Sequence, residues 1–114
     1  MKYGVVGNRI GWSKNDVFNG LSKIGIDSDD TIISGGARGV DTFANEFAKE
    51  FGITIIICYP NKRFGIPRCY YLRNKKITTL CDCLVAFNKR DKSGTSNTIR
   101  FAKELKKEII EYTS

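Results

Sequence analysis

The residue types able to meet an anion are concentrated in three short stretches. Gly7-Asn8-Arg9 is the first, Ser34-Gly35-Gly36-Ala37-Arg38-Gly39 with Asp41 just behind it the second, and Ser93-Gly94-Thr95 with Thr98 the third. Glycine removes the side chain that would hold a ligand away from the backbone. Unpaired N–H groups at a helix N-terminus, with about half a positive charge from the helix dipole, attract phosphate. A fourth pair, Arg73-Asn74, falls at helical spacing on the seam of Tyr70, Ile77 and Leu80, where a guanidinium and an amide need partners. Two bland roles stand beside these: glycine also serves the sterics of tight turns, and Asp41 can simply stabilise the dipole of the helix it begins. Asp41 is also the one weak candidate for a catalytic group.

The absence of histidine excludes Ser-His-Asp and Cys-His arrangements and leaves acid–base work to carboxylates, tyrosines, lysines or cysteines. The four cysteines offer only one close pair, Cys81-x-Cys83, so no metal site is expected. Cys58 and Cys83 lie in apolar strand patterns and are expected as buried reduced thiols, while the redox state of all four, Cys69 and Cys81 included, stays open. Trp12 can stack on a base or cover the sheet edge.

These residues need a scaffold, and the hydrophobic periodicity supplies one. Strands are expected over 2–6, 30–34, 53–58, 82–87 and 108–112, with helices over 13–24, 40–51, 68–80 and 95–106. Ser13 and Asp16 have capping-box spacing, and Gly25 and Gly52 stand where left-handed C-terminal caps belong. The unbroken run Ile53-Thr54-Ile55-Ile56-Ile57-Cys58 reads as a strand buried on both faces. Strict alternation of strand and helix argues for one Rossmann-like, doubly wound α/β domain over 1–114, a mostly parallel sheet of about five strands flanked by helices. In such sheets ligands sit beyond the strand C-termini where the strand order reverses, so the loops after the first, second and fourth strands should converge.

A length of 114 residues supports a single core. No apolar run approaches the roughly 20 residues of a membrane span, no secretory leader is evident, and a cytoplasmic location is expected. The net charge of +7 favours anionic partners. Many of the basic residues lie in two stretches, 62–76 and 103–107, of which the second alternates with Glu104 and Glu108 and reads as a solvated helix face. Self-association is left open.

Ser34-Gly35-Gly36-Ala37-Arg38-Gly39-Val40-Asp41 with Ala44 and Ala48, then Arg73-Asn74, then Gly94-Thr95, resembles the SLOG superfamily of Rossmann-like nucleotide-binding domains. That superfamily unites DNA-processing protein A with the "lonely guy" phosphoribohydrolases, and the chain is most similar to its small stand-alone YspA/YpsA-related group. The resemblance implies a nucleotide or nucleotide-derived ligand held by the glycine loop, the Arg73-Asn74 pair and the Gly94-Thr95 loop, with no further cofactor. Enzymatic members carry Pro-Gly-Gly-x-Gly-Thr-x-x-Glu in the last loop. Here the stretch is Arg90-Asp91-Lys92-Ser93-Gly94-Thr95-Ser96-Asn97-Thr98, without Pro-Gly-Gly and with Thr98 at the glutamate position. The expected function is therefore a module that senses or sequesters a nucleotide. N-glycosidic hydrolysis using Asp41 is the alternative, and single-stranded DNA binding ranks third because no interleaved aromatic surface is apparent.

Overall fold

The structure, a computed structural model, describes residues 1–89 and 94–113. Five strands, β1 (Lys2–Gly7), β2 (Thr31–Ser34), β3 (Thr54–Ile57), β4 (Cys83–Phe87) and β5 (Glu108–Tyr112), form one parallel sheet in the order β3-β2-β1-β4-β5. The helices are α1 (Lys14–Ile24), α2 (Val40–Glu50), α3 (Arg68–Leu80) and α4 (Gly94–Glu104). This is the doubly wound arrangement expected, and its strand order reverses between β1 and β4.

Each face of the sheet has its own core. Val17 and Leu21 of α1 and Val40, Ala44, Phe47 and Ala48 of α2 pack on Val5, Ile32 and Val85. Ile77 of α3 and Ile99 and Ala102 of α4 pack on Val6, Ile33, Leu84 and Ala86. The helix ends follow the expected local chemistry. Ser13 Oγ accepts from the Asp16 N–H at 3.0 Å while the Asp16 carboxylate accepts from the Ser13 N–H at 2.9 Å, and α1 closes at Gly25 with φ 83°. Gly52 takes φ 67° and the Ile53 N–H bonds the Ala48 carbonyl at 2.8 Å, the six-to-one bond that seals a left-handed helix end.

Two expectations are corrected. β3 is not buried on both faces: it is an edge strand, and Ile56 is 40% exposed. α3 packs on β1 and β2, and in β3 Ile55 packs against the core while Ile56 faces the open side, so the apolar run reflects one covered face and one open one. The seam of α3 also turns, because Cys69, Ile77 and Thr78 are buried while Leu80 is 38% exposed. All four cysteines are free and buried. Among the described residues no helix is long and apolar enough to cross a membrane, and no cluster of His, Cys, Asp or Glu could hold a metal ion.

Candidate functional site

The C-terminal ends of the central strands open into a cleft of about 470 Å³. Its lining joins the loop after β1, the start of α2, the first half of α3 and the first turn of α4. Of the residues singled out from the sequence, Gly7, Asn8, Arg9, Ala37, Asp41, Arg73, Asn74, Gly94, Thr95 and Thr98 line it together. Ser34, Gly35, Gly36, Arg38 and Gly39 stand outside the lining, and Ser93 lies outside the described residues.

The glycine loop is organised around its own protein neighbours. A Cβ on Gly35 would lie 2.5 Å from Arg73 Nη1, and one on Gly36 2.8 Å from the Tyr59 ring. Gly39, with φ 76°, presses against the Arg9 carbonyl, which a Cβ would meet at 2.3 Å. The absence of a side chain at Gly35 lets Arg73 enter and donate to the Gly35 carbonyl. Ser34 is fully buried, its hydroxyl 2.8 Å from Asn45 Oδ1.

Asp41 sits inside the loop as an internal anion. Its carboxylate accepts from the Ala37 N–H at 3.0 Å, with further support from the Gly35 backbone. Burial pushes its pKa up to about 6, against the lowering influence of the Ala37 amide, the Arg73 charge, the Gly35 amide and the Arg9 charge. The cleft floor thus holds a carboxylate that changes charge near neutrality.

Tyr70 forms the opposite wall. Arg9 and Arg73 both approach its ring, with guanidinium carbons 5.7 and 5.8 Å from the centroid. Arg73 is further fixed by Asn74, whose Oδ1 accepts from Arg73 Nε at 2.7 Å. Burial draws Arg73 below its ordinary pKa and the Asp41 charge opposes that, but a guanidinium stays protonated. Two cations on one ring, Arg73 held by Gly35 and Asn74 and Arg9 exposed, present several N–H donors to an incoming anion. Reading the sequence missed Tyr70 as a wall, as well as Tyr71 and Asn97 in the lining. The available signal was Tyr70 one turn ahead of Arg73, on the same helix face.

The remaining candidates have settled structural bonds. Asn8 is buried, and its Oδ1 accepts from Trp12 Nε1 at 3.0 Å and from the Lys89 N–H at 2.8 Å, which ties the loop after β1 to the end of β4. Trp12 packs edge-on against Phe87 at 5.4 Å, so it covers the sheet and does not line the cleft. Thr98, buried in the first turns of α4, donates its hydroxyl to the Gly94 carbonyl at 2.8 Å.

No protein-family model matches the chain, and no curated protein does. Two solved structures share its fold. DNA processing protein A from Helicobacter pylori, which binds single-stranded DNA, superposes with a TM-score of 0.75 at 21% identity over 97% of this chain and 64% of its own. DNA processing protein A from Streptococcus pneumoniae gives 0.77 at 24% identity over 96% of this chain and 49% of its own. The chain therefore spans half to somewhat under two thirds of the proteins it resembles, and what it shares with them is the Rossmann-like fold of DNA processing protein A.

Proposed function

We propose that the cleft binds single-stranded DNA, seating a phosphate between Arg9 and Arg73 and a nucleoside against Tyr70 and the first turn of α4. The observation that carries this reading is the pair of guanidiniums converging on one aromatic ring at the mouth of a cleft. It joins the two elements that single-strand binders need, cationic donors for the backbone and a π-face for the base. Support also comes from the segment 61–107, which contributes α3 and α4 and holds 13 of the 19 basic residues but only 3 of the 12 acidic ones. The ligand of the Helicobacter pylori protein is of the same class. We also place the chain in the SLOG superfamily, near its YspA/YpsA-related group, on the order of the three motifs.

The test is fluorescence anisotropy with a labelled oligothymidylate. Arg9→Ala and Arg73→Ala should each weaken binding by about tenfold, the scale of one charge-assisted contact. Unchanged affinity in both would overturn the reading.

The cleft volume supports a second reading, a single nucleotide as the whole ligand, because about 470 Å³ lies within the range of small-molecule sites. Calorimetry discriminates the two. A mononucleotide that binds as tightly as the oligonucleotide favours the small ligand, whereas affinity that rises with chain length favours DNA.

A further inference from the structure

α3 and α4 run side by side away from the cleft, and their facing side chains meet turn by turn. Asn97 Nδ2 and the Tyr71 hydroxyl are 3.4 Å apart at the cleft rim, and both residues line the cleft. One turn further along each helix, Lys75 Nζ lies 5.7 Å from the centre of the Phe101 ring, and the Arg100 guanidinium lies 5.9 Å from it. Beyond that, Lys107 Nζ donates to the Thr79 carbonyl at 3.4 Å. Tyr71, Lys75 and Arg100 are exposed and Phe101 is half-buried.

Among the described residues no ion pair neutralises Lys75 or Arg100. α3 contains no carboxylate, and among the described residues the ion pairs join only Met1 to Asp30 and Lys14 to Glu46. The opposite layer has no such excess: α1 and α2 together carry four acidic residues, Asp16, Asp41, Glu46 and Glu50, against three basic ones, Lys14, Lys23 and Lys49. A polyanion leaving the cleft is attracted along α3 and α4, with no matching attraction from the other side of the sheet. An aromatic ring with two cations within about 6 Å of its centre also suits an unstacked base with its neighbouring phosphates, which a stacked duplex cannot offer.

We propose that this seam is a second contact for single-stranded DNA, carrying the strand out of the cleft over Tyr71 and along α3 and α4. One base rests on Phe101 and the flanking phosphates meet Lys75 and Arg100. The proposal rests on the cleft holding one end of the strand.

The test measures anisotropy of the whole protein with oligothymidylates of about 4 and about 16 nucleotides, the span of known single-strand site sizes. Lys75→Glu combined with Arg100→Glu should weaken the longer strand by about tenfold or more and the shorter by less than about twofold, since only the longer one neutralises its phosphates there. Phe101→Leu, which keeps the apolar packing, should weaken the longer strand alone by about fivefold or more, the loss of one stacked base. Lys23→Glu combined with Lys49→Glu makes the same change in net charge on the opposite layer and should leave both affinities nearly unchanged. The seam is overturned, with the cleft reading intact, if both seam variants bind the longer strand normally or lose both lengths equally. It also falls if Lys23→Glu with Lys49→Glu is as damaging as the seam pair, or if a duplex loses as much as the single strand in Phe101→Leu. If Arg9→Ala and Arg73→Ala leave the shorter strand unaffected, or the wild type binds neither length, the cleft reading fails and the seam with it.

Discussion

The carboxylate of Asp41 has backbone amides and two guanidiniums around it, yet burial dominates and its pKa stands at about 6. In the unfolded chain the same group ionises near 3.9. Between those values the folded protein binds more protons, so stability falls as pH rises from about 4 through about 6 and is lowest above that. A shift of roughly two units corresponds to about 3 kcal/mol. Urea titrations should accordingly find Asp41→Asn more stable than wild type by about 2–3 kcal/mol at neutral pH, with the two converging near pH 4. A wild-type pH slope that survives in the variant would show that another group is responsible. The same charge repels a phosphate entering the cleft, and a phosphodiester does not titrate in this range. Oligothymidylate affinity should therefore rise several-fold as pH falls from about 7.5 to about 5.5, and Asp41→Asn should abolish that rise. Gly35 provides a further residue-scale test, since a methyl group there would occupy the space of the Arg73 guanidinium. Gly35→Ala should reproduce the DNA-binding loss of Arg73→Ala.

At the scale of elements, local chemistry and tertiary position make separate contributions. The capping box of α1 is local: Ser13→Ala should cost about 1 kcal/mol in urea unfolding, because the Asp16 N–H loses its partner. β2 and β3 separate what periodicity cannot. Ile33 and Ile56 are register partners on the same face of the sheet, but Ile33 is fully buried and Ile56 lies on the open edge. Ile33→Ala should cost about 2–5 kcal/mol, as a buried large-to-small change does, and Ile56→Ala distinctly less. Equal losses would mean that the edge of β3 is covered in solution. The helices, their caps and the strand sequence were legible because each depends on neighbours a few residues away. The open face of β3 was not, because an apolar run reads the same under one helix layer or two.

For the whole molecule, the sheet divides the charge. A nearly charge-balanced layer of α1 and α2 backs a basic layer of α3 and α4, so the excess of positive charge lies on the side where the cleft opens. Binding of single-stranded DNA should weaken linearly in log–log terms with salt, with a slope of about −0.7 per phosphate neutralised. The Lys75→Glu and Arg100→Glu pair should flatten that slope by about 1.4 for the longer strand. A slope near zero in the wild type would instead identify a neutral or small ligand.

Sequence alone determined the α/β class, the parallel sheet, the capping box of α1 with the left-handed ends of α1 and α2, and the meeting of residues from three stretches at the strand ends. These follow from hydrophobic period, cap chemistry and the right-handed crossover rule, all of which act locally or through general topology. It also placed Arg73 and Asn74 on an inward helix face. Only the tertiary structure decided what the glycine loop surrounds. Whether its amides meet a ligand or the carboxylate of Asp41, and whether its missing side chains admit a phosphate or the side chain of Arg73, depends on how α3 is laid against β2. That docking follows from packing between segments almost 40 residues apart in the chain, a separation over which residue spacing carries no distance information.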